Sequence, residues 1–151
     1  QSPIHNFVVI GRGETAGAPI ARFLDRRFAT SPDVATTSKG FATSSKKRRD
    51  NQRCATSIIH SKTPHPQEIM RQADCIISCV GKERVVTADA VKPGAILISV
   101  GLWRDEAGKL RGDYDEAEIE NIASYYTPTP GGVGPVNVAC LMQNLIKSIT
   151  L

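Results

Sequence analysis

Almost wholly apolar runs that end on glycine constrain the fold of this chain more than any other feature. Residues 7–10, 75–80 and 95–100 form such runs, and a glycine follows each of them at once. An uninterrupted apolar run is typical of a strand buried on both faces, as in a parallel sheet covered by helices. Residues 55–59 and 123–126 are further strand candidates. The pattern therefore predicts an α/β fold.

Helical patterns separate these strands. A helix is predicted from about residue 17 to 27, with shorter ones near 66–72, 88–91 and 115–121. A last helix is predicted to open at Pro135, where the missing N–H costs nothing. Its apolar face has helical spacing and comprises Val138, Leu141, Met142, Leu145 and Ile149. The expected architecture is a Rossmann-like, doubly wound, mostly parallel sheet with helices on both faces.

Composition and charge exclude several classes of protein. The 151 residues are 40% hydrophobic and are predicted to form one domain, 1–151. The net charge of +4 resides in the run at residues 46–53, which argues against a nucleic-acid partner. No apolar stretch reaches the length of about 18 residues that a membrane span needs. Residues 29–53 lack apolar periodicity and are predicted to be a flexible surface insertion; a nuclear address or anion-docking patch is the alternative.

The cysteines and histidines predict neither a disulfide framework nor a metal site. The four cysteines are expected to be buried, inert thiols, and the three histidines lack ligand spacing. Reduced thiols and the absence of a signal-peptide pattern favour a cytoplasmic or mitochondrial location rather than secretion. The opening residues indicate a chain cut from a longer protein.

The first strand leads into a glycine-rich turn, with Gly11, Arg12, Gly13 and Gly17 spaced as G-x-G-x-x-x-G. Glycines at such a turn let the backbone approach a pyrophosphate, which the following helix N-terminus attracts. The spacing is one residue longer than the usual dinucleotide fingerprint, and a packing role is the alternative. The position directly after the first strand favours nucleotide binding.

The end of the second strand favours NADP, with NAD possible. An NAD site usually carries a carboxylate there for the ribose 2′-hydroxyl, whereas this strand ends in His60, Ser61 and Lys62. A 2′-phosphate would find a hydroxyl, a cation and the guanidinium of Arg12. A strand-end hydrogen-bonding role is the alternative for His60.

Two more loops are candidates because ligands bind at the carboxyl ends of strands in open sheets, and the segment before the last helix is a third on separate grounds. Val80-Gly81-Lys82 and Val100-Gly101-Leu102 let a nucleotide ring lie against backbone, although each could be only a tight turn. Residues 127–135 combine prolines and glycines directly before a helix, which indicates an ordered binding loop.

Together these motifs resemble one family, the bifunctional methylenetetrahydrofolate dehydrogenase/cyclohydrolases, and specifically its C-terminal NAD(P)-binding domain. The resemblance covers nearly the whole chain outside residues 29–53. Its most specific motif is Pro-Gly-Gly-Val-Gly-Pro at residues 130–135. Further matching segments are 9–12, 17–19, 60–63, 73–74, 80–82, 91–95, 100–101, 108–110, 112–113, 127–128 and 141–144.

The resemblance implies oxidation of 5,10-methylenetetrahydrofolate by NADP, then hydrolysis of the methenyl product to 10-formyltetrahydrofolate. It assigns Arg12 and Ser61 to the 2′-phosphate and implies a homodimer formed through the sheet edge. The implied folate-facing residues are Pro130, Gly131 and Gly132. The implied cofactor-lining residues are Gly11, Arg12, Gly13, Ser61, Val80, Gly81, Val100, Gly101, Leu102 and Asn137.

The chain departs from the family in its cofactor site and in its catalytic residues. Gly13 replaces the family's Ser, Asn137 its Thr and Ser99 its Asp. The family's catalytic Tyr-x-x-x-Lys pair and Asp belong to an N-terminal domain, and no tyrosine of this sequence is followed four positions later by lysine. We therefore expect no catalytic residue here and an inactive chain in isolation. The alternatives are a non-catalytic Rossmann-fold remnant acting as an interaction module and an unrelated NAD(P) dehydrogenase.

Overall fold

The structure, a computed structural model, describes residues 4–28 and 54–149, so the predicted insertion at 29–53 lies outside the described residues. The strands are β1 (Asn6–Ile10), β2 (Ala55–Ile59), β3 (Cys75–Ser78), β4 (Ile96–Ser99), β5 (Trp103–Arg104), β6 (Leu110–Arg111) and β7 (Tyr125–Tyr126). The α-helices are α1 (Gly17–Phe28), α2 (Pro66–Arg71), α3 (Glu116–Ile119) and α4 (Val133–Ile149), and a 3₁₀ turn spans Ala88–Ala90.

In the described part of the chain, five parallel strands form the main sheet in the order β2-β1-β3-β4-β7. Phe7 of β1 pairs with Thr56 on one side and with Cys75 on the other. The chain builds outward in one direction from β1 to β2 and in the other from β3 to β7, so the switch point lies between β1 and β3. The predicted doubly wound α/β fold is confirmed.

Alternate residues of the central strands supply two separate cores. Val9 and Ile77 face α1, where they pack with Leu24. Val8 and Ile76 point to the opposite face and pack with buried residues of α2, the 3₁₀ turn and α3. Burial on both faces explains why these strands carry no polar alternation, since neither face meets water.

Several elements differ from prediction. β4 and β7 are shorter than the predicted 95–100 and 123–126, and the helix predicted near 88–91 is a 3₁₀ turn. β3 ends at Ser78 rather than residue 80, which places Cys79 and Val80 in the turn that follows. α4 begins at Val133, two residues before Pro135; the proline remains in the first turn, where N–H groups have no intrahelical acceptor. The antiparallel hairpin β5–β6 was not predicted, because strands of two residues give no periodic signal.

The apolar face of α4 is exposed. Val138 is 62%, Leu141 68% and Ile149 76% accessible, and no α4 residue is buried. The helix itself is confirmed, and it shows that amphipathic spacing specifies a helix without specifying what covers its face. Among the described residues, no helix has both the length and the apolar character that crossing a bilayer requires.

Candidate functional site

The turn between β1 and α1 is built on two close backbone approaches. Gly11 adopts a φ of +105°, and a Cβ at this position would meet the Cys79 carbonyl oxygen at 3.0 Å. A Cβ on Gly17 would overlap the Gly11 carbonyl oxygen, so α1 begins directly against the turn. Within the described ranges, no backbone hydrogen bond occupies the N–H groups of Arg12 and Gly13. These N–H groups precede the start of α1, an arrangement that holds phosphates in nucleotide-binding turns.

The turns that follow β1, β3 and β4 lie side by side at the carboxyl edge of the sheet. Backbone bonds continue the ladder past the strand ends: Cys79 N–H donates to the Ile10 carbonyl at 2.8 Å, and Val100 N–H to the Ser78 carbonyl at 2.8 Å. A Cβ on Gly81 would meet the Leu102 carbonyl oxygen at 3.0 Å. The structure therefore brings together the predicted residues Gly11, Val80, Gly81, Val100, Gly101 and Leu102.

A buried carboxylate, Asp113, lies behind the second and third of these turns and is fully inaccessible. Oδ1 accepts the N–H groups of Gly81 at 2.7 Å and Lys82 at 2.9 Å. Oδ2 accepts the Ser78 hydroxyl at 2.6 Å and the Val80 N–H at 3.0 Å. Sequence reasoning assigned no function to Asp113; the only signal was its place in the Gly112-Asp113 motif.

Ser99 connects this carboxylate's segment to the turn after β4. Its hydroxyl accepts the Asp113 N–H at 3.0 Å and donates to the Gly101 carbonyl at 3.0 Å. The Ser99 N–H donates to Oγ1 of Thr127, at the start of the proline-rich loop, at 2.9 Å. The family carries an Asp at this position, and its carboxylate could only accept hydrogen bonds. The Ser99 hydroxyl both donates and accepts.

The proline-rich loop is held against the same edge. The Tyr114 hydroxyl donates to the Thr127 carbonyl at 2.8 Å, and Glu116 Oε1 accepts the Thr129 N–H at 2.6 Å. Burial raises the pKa of Tyr114, which keeps the phenol protonated as a structural donor. Beyond these anchors Pro130 and Gly131 are exposed to solvent.

Comparison with known proteins identifies the family. The sequence model described as tetrahydrofolate dehydrogenase/cyclohydrolase, NAD(P)-binding domain, matches residues 49–151. The bifunctional protein FolD of Burkholderia multivorans is 41% identical over 143 residues. The chain belongs to the tetrahydrofolate dehydrogenase/cyclohydrolase family. The predicted resemblance to its NAD(P)-binding domain is thus confirmed.

Solved structures of the family share the fold. The bifunctional enzyme FolD of Campylobacter jejuni superposes with a TM-score of 0.73 at 34% identity, covering 94% of this chain and 42% of that one. The Trypanosoma brucei dehydrogenase-cyclohydrolase, solved with NADP cofactor and an inhibitor, gives 0.69 at 31% identity, covering 94% and 42%. The Burkholderia relative is matched over 95% of this chain and 41% of its own length. This chain therefore spans about two-fifths of its relatives.

The end of β2 presents the other residues that the family resemblance implied for the cofactor. Ser61 and Lys62 are exposed. His60 Nδ1 accepts the Lys62 N–H at 3.2 Å, and Thr63 Oγ1 accepts the His60 N–H at 3.0 Å, so His60 has a strand-end hydrogen-bonding role. Asn137 is exposed on α4, and within the described ranges no hydrogen bond ties it to the glycine turns.

The cysteines of this family member differ in exposure. Burial, with the Asp74 charge adding to it, raises the pKa of Cys75 to about 11. Burial and the charge of Asp113 do the same for Cys79, to about 11. Both thiols therefore stay protonated at neutral pH and are poor nucleophiles. Cys54 and Cys79 are half-buried and Cys140 is exposed on α4, which corrects the expectation that all four are buried. In residues 4–28 and 54–149, no three potential metal ligands cluster.

Proposed function

We propose that this chain is the NADP-binding part of an enzyme that oxidises 5,10-methylenetetrahydrofolate and hydrolyses the methenyl product to 10-formyltetrahydrofolate. Family membership supports the reaction, and the NADP-bound trypanosomal relative supports the cofactor. The observation that carries the proposal is the backbone cradle formed by Gly11, Gly17 and the Cys79 carbonyl at the switch point of the sheet. Open α/β sheets bind their nucleotides in the crevice at that point.

Each part of the cofactor has a proposed place along the sheet edge. The N–H groups of Arg12 and Gly13 face the diphosphate, and Arg12 with Ser61 binds the 2′-phosphate. The end of β2 offers hydrogen-bonding groups and a cation but no carboxylate, and this combination favours NADP over NAD. When bound, NADP supplies the hydride acceptor. The remaining wall consists of Val80, Gly81, Val100, Gly101 and Leu102, with Asn137 added from α4.

The folate is proposed to approach the exposed loop at Pro130, Gly131 and Gly132. The chain holds no Tyr-x-x-x-Lys pair and spans about two-fifths of its relatives, so we propose that the acid/base residues lie in a separate N-terminal catalytic domain. A general acid/base must reach the proton that it transfers. We accordingly expect neither reaction from this chain, which we propose forms one domain over 1–151.

We further propose a homodimer that forms through the edge of the sheet. β2 is the outermost of the described strands on its side, and Ile58 on it is 41% exposed. An edge strand offers unpaired N–H and C=O groups to a second copy. The free thiols of the described cysteines support a reducing cytoplasmic or mitochondrial compartment.

Calorimetric titration of the chain with NADP and NAD tests the cofactor proposal. We expect NADP to bind more tightly, and we expect Arg12→Ala to lower NADP affinity about ten-fold while leaving NAD little changed. Arg26→Ala, an exposed arginine at the opposite end of α1, is the matched control. If neither cofactor binds at millimolar concentration, the proposal is wrong and the interaction-module alternative gains support.

A further inference from the structure

The N–H groups of the turn after β3 are already occupied by the protein's own anion. Three consecutive residues, Val80, Gly81 and Lys82, direct their N–H groups at one carboxylate, that of Asp113. Such a run of converging amides is a typical phosphate nest. With Asp113 inside it, the nest has no donors left for a ligand, and the carboxylate's charge repels a second anion.

We propose that Asp113 is a positioning residue for dinucleotide binding. It holds the turns that contact the dinucleotide and does not contact the dinucleotide itself. The carboxylate fixes the turn after β3 against the turn after β4 and leaves the cradle at Gly11 as the place for the diphosphate. The inference rests on the proposed cofactor function and deepens it, because it assigns separate roles to glycine turns that look alike in sequence.

The packing around Gly101 shows how tightly the two turns are joined. A Cβ added to Gly101 would overlap both Oδ2 of Asp113 and the Gly81 nitrogen. The same segment is tied from the other side, where Ser99 accepts the Asp113 N–H and donates to the Gly101 carbonyl. Movement of the carboxylate would therefore move both turns together, and with them the exposed Leu102 and Val80 side chains.

The position of these turns specifies which half of the cofactor depends on them. A 2′-phosphate at the end of β2 places the adenosine there, and the rest of the molecule must extend past β1 and β3 toward β4. Neighbouring strands lie about 4.8 Å apart, so this path is roughly 14 Å long, about the span of an extended dinucleotide. The nicotinamide half then lies against the turns that Asp113 holds, while the adenosine half lies outside their reach.

Asp113→Asn tests this directly. An amide offers one oxygen in place of two, so either orientation leaves two of the four donors without an acceptor. We expect the variant to bind NADP about ten-fold more weakly and to bind 2′,5′-ADP, which lacks the nicotinamide half, as wild type does. The amide proton shifts of the backbone groups that lose their acceptor should move upfield: Gly81 and Lys82 in one orientation of the amide, Val80 in the other.

The matched control is Asp115→Asn, two residues along the chain. Asp115 is exposed and caps α3 by accepting the Ala117 N–H at 3.1 Å, a role that asparagine fills equally well. Its affinity for both ligands should equal that of wild type. Should Asp113→Asn fail to fold, Ser78→Ala removes one donor and retains the charge, and it should weaken NADP alone by about three-fold.

The outcomes separate the two proposals. Unchanged NADP affinity in the folded variant, or equal losses for NADP and 2′,5′-ADP, overturns the positioning role while the cofactor function stands. A wild-type chain that binds neither ligand overturns the cofactor function itself.

Discussion

Replacing Gly17 with alanine tests the close approach on which the cradle depends. The added Cβ would lie 2.7 Å from the Gly11 carbonyl carbon and 3.2 Å from the Arg12 nitrogen, and closer still to the Gly11 oxygen. Ordinary Cβ contacts begin near 3.4 Å, and every atom involved here is backbone. The start of α1 must therefore move away from the turn by about 1 Å, which distorts the proposed diphosphate site.

The expected cost follows from two opposing effects. Overpacking a buried site costs about 1–3 kcal/mol, whereas the better helix propensity of alanine returns up to about 1 kcal/mol. The free energy of unfolding should fall by about 1–2 kcal/mol, and the melting temperature by roughly 3–6 °C for a chain of this size. The displaced N–H groups should also weaken NADP binding about ten-fold.

Thermal unfolding followed by circular dichroism, with an NADP titration on the same samples, measures both effects. Gly13→Ala is the matched control for stability, because a Cβ at Gly13 meets nothing within 4 Å and its φ is not in the left-handed region. It should melt within about 2 °C of wild type. If Gly17→Ala melts at or above the wild-type temperature with unchanged NADP affinity, the cradle argument is wrong.

Two further predictions concern the same turn and the opposite edge of the sheet. The first is Gly13→Ser, whose side chain has room and restores the hydroxyl that the family carries at this position. Calorimetry should show that the variant binds NADP about three-fold more tightly. An unchanged affinity would argue against a phosphate at this position. Burial raises the pKa of Asp74, but the Lys92 ammonium at 2.6 Å and the N–H groups of His5 and Asn6 outweigh it and lower the pKa below its ordinary 3.8. The ionised carboxylate therefore stabilises the fold fully at pH values above 3.8, and this stabilisation is lost as the pH falls through the lowered pKa of the folded state. Asp74→Asn should lower the free energy of unfolding in urea by about 1 kcal/mol at pH 7. An equal cost at pH 2 would contradict this assignment.

Local patterns were sufficient wherever a segment's neighbours did not matter. The apolar runs predicted β1 and β4 because burial on both faces requires apolar side chains at nearly every position of a strand. The glycines of the first turn were identified for a similar reason, since a sharp exit from a strand needs backbone freedom there whatever packs around it. The two-residue strands β5 and β6 are too short to show a recognisable hydrophobic pattern.

Other features depended on residues distant in sequence. The partners of the Asp113 carboxylate lie 31 to 35 positions earlier in the chain, and nothing in the local composition links them. The turn at Gly81 resembles the turn at Gly11 in sequence, yet the protein itself occupies its N–H groups. Among residues 4–28 and 54–149, no hydrogen bond occupies those of Arg12 and Gly13.

The sequence by itself determined the parallel sheet, its helices and the glycine turns at the strand ends, because burial and backbone conformation act residue by residue. Only the tertiary structure decided which of those turns has its N–H groups occupied by the protein's own carboxylate. The carboxylate is that of Asp113, which the connection after β4 brings back to the turn after β3. The sequence does not reveal this contact, because a hydrogen bond forms only where folding brings donor and acceptor together.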